Sequence, residues 1–212
     1  MDSAIKWFED HKFVALIRSG SAEDAEAMMK AASAGGFRIF DISTQTPQAL
    51  RLIEAYSRKE GFFVGAGSVL DGEMAQRAIN AGAKFLSNTY TDRDVINVAK
   101  NNDTFVIAGA MTPTEAFEAY QLGADLIKIY PAGPAGGPAY LKAIRGPMPF
   151  LKLMAGGDIT IENVSEYLKH CVAVSIGKSL FDKALIRSDK WPEITERARQ
   201  FTQKLESLKV AK

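Results

Sequence analysis

The sequence Gly123-Ala124-Asp125-Leu126-Ile127-Lys128-Ile129-Tyr130-Pro131 contains the end of one predicted helix and the whole of one predicted strand. The apolar run before Tyr130 is typical of a buried strand, and the proline after it ends the strand. The glycine before the run supplies the left-handed residue that commonly ends a helix. The same sequence pattern, a glycine followed by a short apolar strand, begins at Gly36 and at Gly82. These repeats are about two strand–helix units apart, which is typical of a fold built from such units.

Short apolar strands alternate with amphipathic helices along the whole chain. The predicted strands are Phe13–Arg18, Phe37–Ile42, Phe62–Ala66, Lys84–Ser87, Thr104–Ala108, Asp125–Ile129, Leu151–Ala155 and Val172–Ile176. The predicted helices between them are Ala22–Ala34, Pro47–Arg58, Gly72–Ala81, Asp92–Lys100, Pro113–Leu122, Pro138–Ile144, Ile161–Leu168 and Ser179–Ile186. This alternation indicates an α/β fold of right-handed βαβ units. Eight such units close into a (β/α)8 TIM barrel more readily than they form an open sheet.

Helix signals support one α/β domain over residues 1–212. Ser21 and Thr112 are good N-cap residues, and Pro113 suits the first helical position. Outside the barrel, Ser3–His11 predicts an N-terminal helix that caps the bottom, and Pro192–Leu208 predicts an extra C-terminal helix on the surface. A dinucleotide-binding fold has little support, because no Gly-x-Gly-x-x-Gly follows the first strand.

Composition and charge argue against several classes of function. The 212 residues carry a formal net charge of +1, so there is no strong field to attract nucleic acid or an anionic membrane. Cys171 is the single cysteine and is expected in the core of a protein from a reducing compartment. With His11 and His170 as the two histidines, we predict no metal site. The acidic N-terminal stretch does not resemble a secretory signal, and no apolar run is long enough to span a bilayer, so we expect a soluble cytoplasmic protein.

Lys128 is the charged residue inside the apolar strand of the opening sequence. Burial disfavours the ammonium form of a lysine, and a neutral amine can attack a carbonyl carbon to form a Schiff base. The alternative is a lysine whose side chain reaches back to solvent from the strand end. The strand pattern by itself favours neither hypothesis.

Other polar side chains follow the predicted strands, where the active site of a TIM barrel lies. They are Arg18, Asp41, Ser43, Gln45, Ser68, Asn88, Thr112 and Lys128. An arginine, an acid and a lysine at one mouth form a plausible catalytic set. Asn88 and Thr112 are more simply explained as hydrogen-bonded residues of the rim.

Glycines follow the last two predicted strands, in Ala155-Gly156-Gly157-Asp158 and Ile176-Gly177-Lys178-Ser179. In TIM barrels, the loops after strands 7 and 8 frequently bind phosphate. Glycine lets backbone N–H groups approach an anion, and a helix start adds a favourable dipole. Lys178 and Ser179 would add a positive charge and a hydroxyl donor. Glycine also serves in simple tight turns, but its presence in both loops favours a phosphate site.

Together these stretches resemble the class I aldolases of the 2-keto-3-deoxy-6-phosphogluconate and 4-hydroxy-2-oxoglutarate family. The similar stretches are Gly65-Ala66-Gly67-Ser68-Val69 (GAGTV), Gly109-Ala110-Met111-Thr112-Pro113-Thr114-Glu115 (PGVATPSE), Leu126-Ile127-Lys128-Ile129-Tyr130-Pro131-Ala132 (LKLFPA, with its Schiff-base lysine), Gly156-Gly157 (GG) and Gly177-Lys178-Ser179 (GGS). The resemblance runs from about Phe13 to Lys183.

The resemblance implies a carbon–carbon lyase that releases pyruvate and an aldehyde from a 2-keto acid, with no metal or other cofactor. It implies that Lys128 forms the Schiff base and that Asp41 moves protons. The implied substrate-binding residues are Arg18, Gln45, Ser68, Thr112 and Tyr130, and the implied phosphate-binding residues are Gly156, Gly157, Gly177, Lys178 and Ser179. Arg18 would disfavour the charged form of the lysine by repulsion or hold a substrate carboxylate. Relatives are typically trimers, so we expect a homotrimer with a small-molecule substrate and without nucleic-acid or membrane partners.

The chain departs from the family motifs where the chemistry is decided. Asp41 stands where EVTLRT has its glutamate, Gln45 where that motif has its arginine, and Ala155 where PTGG has its threonine. The SPG or SPH motif corresponds to Ser87-Asn88-Thr89. These changes predict a different substrate or a slower reaction. Two other functions stay open: a phosphosugar isomerase or synthase without a Schiff base, and a non-catalytic protein that binds a phosphorylated ligand.

Overall fold

Eight parallel strands, paired in chain order, close into a barrel at the centre of the molecule. The computed structural model describes residues 2–210. The strands are β1 (Phe13–Ile17), β2 (Ile39–Ser43), β3 (Phe63–Gly67), β4 (Phe85–Ser87), β5 (Phe105–Ala110), β6 (Leu126–Ile129), β7 (Leu153–Gly156) and β8 (Ala173–Ile176). The helices are α1 (Asp2–His11), α2 (Ala22–Ala34), α3 (Ala49–Ser57), α4 (Gly72–Asn80), α5 (Arg93–Asn101), α6 (Pro113–Gln121), α7 (Gly137–Arg145), α8 (Val164–Tyr167), α9 (Lys183–Arg187) and α10 (Trp191–Val210). The predicted TIM barrel with an N-terminal capping helix and an extra C-terminal helix is confirmed.

The helix signals of the sequence act as predicted at several ends. The Ser21 hydroxyl accepts a hydrogen bond from the Asp24 N–H at 3.0 Å and begins α2. The Thr112 hydroxyl does the same for the Glu115 N–H, and Pro113 follows it as the first residue of α6. Gly82 has a φ of +93°, a left-handed conformation that glycine adopts without a steric penalty. These caps fix the points at which helices give way to strands.

Two helices are much shorter than the sequence predicts. The predicted helix Ile161–Leu168 is reduced to the four residues of α8, and the predicted helix Ser179–Ile186 begins at Lys183. Asp182 is the reason for the second difference, because its carboxylate accepts hydrogen bonds from the N–H groups of Ala184 and Leu185 and sets the N-cap there. The expectation that a helix starts at Ser179 is wrong, and that loop forms a turn instead.

The bottom of the barrel interior is filled by aromatic side chains. Phe8 of α1 is fully buried, and its ring lies 5.8, 5.4 and 5.1 Å from the rings of Phe63, Phe85 and Phe105. Aromatic contacts of this kind add to the free energy gained by burial. Helix α1 therefore closes the lower end of the barrel, as the sequence predicts.

Helix α10 packs on α2, far along the chain. The hydroxyls of Thr195 and Thr202 donate hydrogen bonds to the carbonyls of Ala31 and Gly35 at 3.1 and 2.9 Å. A β-carbon at Gly35 would overlap that of Ala198, so glycine permits the close approach of the two helices. The predicted packing of the C-terminal helix on the surface of the barrel is confirmed.

The alternation of side chains along each strand determines where polar groups meet. Successive side chains of a strand point to opposite faces, so residues two apart share the barrel interior. Ile39, Phe85 and Leu126 belong to the apolar lower layer. The residues two positions further along the same strands are Asp41, Ser87 and Lys128. A polar layer therefore lies directly above the apolar one, toward the carboxyl ends of the strands.

Candidate active site

A cavity of about 600 Å³ opens at the carboxyl ends of the strands. Most of the site residues predicted from the sequence line it, namely Arg18, Asp41, Ser68, Lys128, Tyr130, Gly156, Gly157, Gly177, Lys178 and Ser179. They come from six of the eight strands or from the loops that follow them. The barrel thus brings together residues that are up to about 160 positions apart in the chain.

Lys128 lies at the floor of this cavity with its amine held by two side chains. It is 4% exposed, and its Nζ donates hydrogen bonds to Asp41 Oδ2 at 3.3 Å and to Ser87 Oγ at 2.6 Å. A lysine that reaches back to solvent is therefore excluded. Breaking a buried ion pair of this kind by removing one partner is strongly destabilising, because the other charge stays buried.

The side chain of Asp41 is buried and lies against Gly67 of the neighbouring strand. It is 1% exposed, and its second oxygen, Oδ1, has no hydrogen-bond partner among the described residues. A β-carbon at Gly67 would overlap this oxygen, so the carboxylate fits only because residue 67 is glycine. Gly67, the last residue of β3, therefore makes room for the carboxylate of Asp41.

Arg18 lies at the mouth of the cavity rather than at its floor. Its side chain is exposed, and its Nη2 donates a hydrogen bond to Ser68 Oγ at 2.8 Å. The Ser43 hydroxyl donates to the same oxygen at 3.3 Å. Ser68 has a φ of +56°, an uncommon conformation for a residue other than glycine, and such conformations are concentrated at functional sites. This positions a cation at the entrance, with the buried amine below it.

Four residues considered from the sequence do not line the cavity: Ser43, Gln45, Thr112 and Ala155. Gln45 is exposed outside it, and Ala155 is buried in the layer between the barrel and the helices. The Thr112 hydroxyl and the Glu115 carboxylate form the capping box of α6. Hydrogen bonds from the N–H groups of Met111 and Thr112 lower the pKa of Glu115. Of the departures from the family motifs, Asp41 and the Ser87-Asn88-Thr89 stretch line the cavity, whereas Gln45 and Ala155 do not.

The loops after β7 and β8 form one end of the cavity. Within residues 2–210, the N–H groups of Gly157, Lys178 and Ser179 have no protein acceptor. The Ser179 hydroxyl donates to the Ile159 carbonyl at 2.6 Å, and Arg197 of α10 donates to the Ser179 carbonyl at 3.3 Å. This end offers backbone donors and positive side chains to an anion, but without the long helix start that the sequence predicts.

Seven further polar or charged cavity residues were not predicted from the sequence as site residues: Ser87, Thr89, Asp158, Thr160, Ser175, Asp182 and Arg197. Ser87 and Ser175 carry a signal that would have found them, because each follows an interior apolar residue, Phe85 or Ala173, by two positions. Arg197 carries no such signal, since its position depends on how α10 packs. Asn88 lines the cavity too, and its side-chain amide donates to the Val69 carbonyl, as expected of a rim residue.

The cysteine and the two histidines considered from the sequence lie outside the cavity. Cys171 is buried in the core, and burial raises the pKa of its thiol to about 12, which confirms the expectation of a packed core residue. Among residues 2–210, no three His, Cys, Asp or Glu side chains are grouped as a metal site requires. In the same range, no helix is long and apolar enough to span a membrane.

The fold and the cavity define a TIM-barrel protein with a buried lysine–carboxylate pair at the carboxyl ends of its strands, the arrangement expected of an aldolase that uses a lysine nucleophile. A model of the KDPG and KHG aldolases matches residues 5–197, so the chain belongs to this family. KDPG and KHG stand for 2-keto-3-deoxy-6-phosphogluconate and 2-keto-4-hydroxyglutarate.

The chain is similar to several named aldolases over most of its length. It is 28% identical to a 2-dehydro-3-deoxy-phosphogluconate aldolase of Pseudomonas aeruginosa, across 84% of this chain and 81% of that one. It is also 28% identical to a 2-dehydro-3-deoxy-6-phosphogalactonate aldolase of Escherichia coli, across 84% and 88%. The crystal structure of the KDPG aldolase of Legionella pneumophila, which holds pyruvate as a covalent carbinolamine, superposes with a TM-score of 0.81 at 26% identity and covers 92% of this chain and 96% of that one. The chain is thus a class I aldolase, a carbon–carbon lyase.

Proposed function

We propose that this aldolase cleaves a phosphorylated 2-keto-3-deoxy acid to pyruvate and a phosphorylated aldehyde, with Lys128 as the Schiff-base residue. The observation that carries the proposal is the contact of Lys128 Nζ with Asp41 and Ser87 at the floor of the cavity, 4% exposed and below an exposed arginine. The relatives named above act on phosphorylated 2-keto-3-deoxy acids, which supports this class of substrate.

The buried ion pair supplies both groups that the first step needs. When Lys128 transfers a proton to Asp41, the amine becomes neutral and its lone pair attacks the C2 carbonyl of the substrate. The protonated Asp41 then gives that proton to the departing hydroxyl, so water leaves and an iminium ion forms. Three protons on the ammonium become one on the iminium and two on water, and Asp41 returns to a carboxylate.

The second step uses the same carboxylate as a base. Asp41 accepts the proton of the C4 hydroxyl while the C3–C4 bond breaks and its electrons pass into the iminium, which becomes an enamine. The aldehyde leaves, and Asp41 returns the proton to C3. Hydrolysis of the resulting iminium releases pyruvate. No oxidant or reductant takes part, because the iminium stores and returns the electron pair.

The two ends of the cavity suggest how the substrate is oriented. Arg18 at the mouth can bind the substrate carboxylate with two parallel hydrogen bonds. The N–H groups of Gly157, Lys178 and Ser179, which have no acceptor in the part of the chain that the structure describes, suit the phosphate at the other end. Lys178 is exposed and adds a positive charge there. This orientation would leave the reacting carbons above Lys128.

Reduction with borohydride in the presence of pyruvate tests the assignment of the lysine. The expected result is a stable pyruvyl adduct on Lys128, located by peptide mass spectrometry. Lys128→Ala should lose both the adduct and the release of pyruvate from substrate. Lys84→Ala is a matched control, because Lys84 is an exposed lysine at the opposite end of the barrel and should leave both unchanged. An adduct on another lysine, or none in the unaltered protein, would overturn the proposal.

A further inference from the structure

Ser87 is a buried hydroxyl in direct contact with the amine of Lys128. It is the last residue of β4 and is 1% exposed. Its Oγ accepts a hydrogen bond from Lys128 Nζ at 2.6 Å, shorter than the 3.3 Å from the same nitrogen to Asp41. The resemblance to the aldolase motifs gave this residue no role, and the proposed function uses only the lysine and the acid.

Within residues 2–210, no group accepts a hydrogen bond from the hydroxyl of Ser87. Among the described residues Ser87 Oγ acts only as an acceptor, from Lys128 Nζ. A buried hydroxyl normally both accepts and donates, and a donor left without a partner costs free energy. Ser87 also lines the cavity, so its free proton is available to a group bound above the lysine.

We infer that Ser87 is a further catalytic residue that passes a proton from the lysine nitrogen to the substrate oxygen during formation of the carbinolamine. This inference rests on the proposed function, since it requires Lys128 to be the nucleophile. Attack by the neutral amine first gives a positively charged nitrogen and a negatively charged oxygen on C2. That intermediate must lose a proton from nitrogen and gain one on oxygen before water can leave.

The geometry allows one hydroxyl to perform both transfers. Ser87 Oγ takes the proton from Nζ while its own proton moves to the alkoxide oxygen, so the carbinolamine becomes neutral and the hydroxyl of Ser87 is regenerated. Atoms and charges balance with no added reactant. Asp41 keeps its proton during this step and uses it afterwards to expel water. With Ser87 moving the first proton, one short carboxylate need not reach both atoms.

The relay predicts an effect on the rate of Schiff-base formation rather than on its extent. Enzyme and pyruvate are mixed for varied times before borohydride is added, and the labelled fraction of Lys128 is measured by mass spectrometry. Ser87→Ala should slow the approach to full labelling by about 10²-fold, the lower end of the effect of a positioned proton-transfer group. The labelled fraction after long mixing should be close to that of the unaltered enzyme.

Three variants separate the relay from a merely structural role. Ser87→Thr keeps a hydroxyl and should restore labelling to within about tenfold of the normal rate. Should the larger side chain disturb the barrel, as judged by thermal unfolding, Ser87→Cys keeps the volume with a weak donor and should label as slowly as Ser87→Ala. Ser165→Ala is the control, since it removes a hydroxyl on α8 outside the cavity and should label at the normal rate.

The outcomes distinguish failure of the proposed function from failure of the relay. If the unaltered enzyme gives no pyruvyl adduct, the proposed function fails and the relay with it. If the unaltered enzyme is labelled and Ser87→Ala is labelled equally fast, the relay is overturned and the aldolase assignment stands. If Ser87→Ala loses the final labelled fraction along with the rate, the hydroxyl only holds the lysine in place, which also overturns the relay.

Discussion

The carboxylate of Asp41 is one methylene shorter than the glutamate of the related motif, and the residues around it are matched to that length. Its Oδ2 lies 3.3 Å from Lys128 Nζ, while its Oδ1 is in contact with the backbone of Gly67. A longer side chain at this position has no space on the Gly67 side and would push into the lysine. The sequence comparison alone left open whether this aspartate is a defect or an adaptation.

Asp41→Glu should therefore lower the rate of pyruvate release rather than raise it. Asp41→Asn should lose about 10²- to 10⁴-fold in the same rate, because an amide cannot exchange the proton. Both rates are measured by coupling pyruvate to a dehydrogenase, with a phosphogluconate-type substrate. A faster Asp41→Glu enzyme would show that the pocket is not adapted to aspartate, and unchanged turnover in Asp41→Asn would remove Asp41 from the mechanism.

Gly67 affects activity only through the space it leaves for Asp41. Gly67→Ala should displace the carboxylate from the lysine and reduce turnover by about 10²-fold, as a misplacement of about 1 Å can do. Gly20→Ala is the matched control, because a β-carbon there would meet nothing within 4 Å. Normal turnover in Gly67→Ala would mean that Asp41 can move without cost.

Among the elements, the helix caps were the parts best specified by local sequence. Ser21, Thr112 and Gly82 act where short-range chemistry places them, because a cap depends on side chains within four residues of the helix end. The starts of α8 and α9 were predicted too early. The apolar pattern predicted an earlier start for both helices. For α9, the carboxylate of Asp182 accepts hydrogen bonds from the backbone N–H groups of Ala184 and Leu185 and sets a later start.

Thr112 provides a test at the scale of the helix. In the structure its side chain caps α6, whereas the resemblance to the aldolase family implied that it contacts the substrate. Thr112→Ala should lower the free energy of unfolding by about 1 kcal/mol, through loss of the cap of α6. Thr112→Ser should be nearly neutral, and neither variant should change KM. Urea unfolding and steady-state kinetics decide the matter: a raised KM with unchanged stability would make Thr112 a substrate contact.

For the whole molecule, the end of the cavity that we propose binds phosphate depends on elements that meet only in the closed fold. The loops after β7 and β8 contribute glycines, and α10 contributes Arg197 from near the end of the chain. Helix α10 reaches the cavity because it also packs on α2 through Thr195 and Thr202. The helix predicted to pack on the surface therefore also lines the cavity.

Inorganic phosphate should be a competitive inhibitor, and substrates that lack the phosphate should have a higher KM. Arg197→Ala should raise KM roughly tenfold for a phosphorylated substrate, the scale of one lost hydrogen bond to a charged group, and leave KM for its unphosphorylated analogue unchanged. Arg199→Ala controls for loss of charge, since Arg199 is exposed on the same helix and pairs with Glu196. If neither phosphate nor sulfate competes, these loops are only turns.

The sequence by itself determined the order of strands and helices, the closed barrel, the lysine in a buried strand and the family, because each depends on periodicity, short-range signals or motifs in a fixed order. Most of the site residues that it predicted do line the cavity, since a parallel barrel gathers all strand ends at one face. Only the tertiary structure decided that Lys128 is bound between Asp41 and Ser87, that Gly67 makes room for the acid, and that Arg197 lines the cavity beside the loop after β8. Lys128, Asp41 and Ser87 lie on β6, β2 and β4, which do not pair with one another, whereas Gly67 and Asp41 lie on the paired strands β3 and β2. The geometry of all these contacts is set by the register and closure of the barrel and by the packing of α10, which no local pattern encodes.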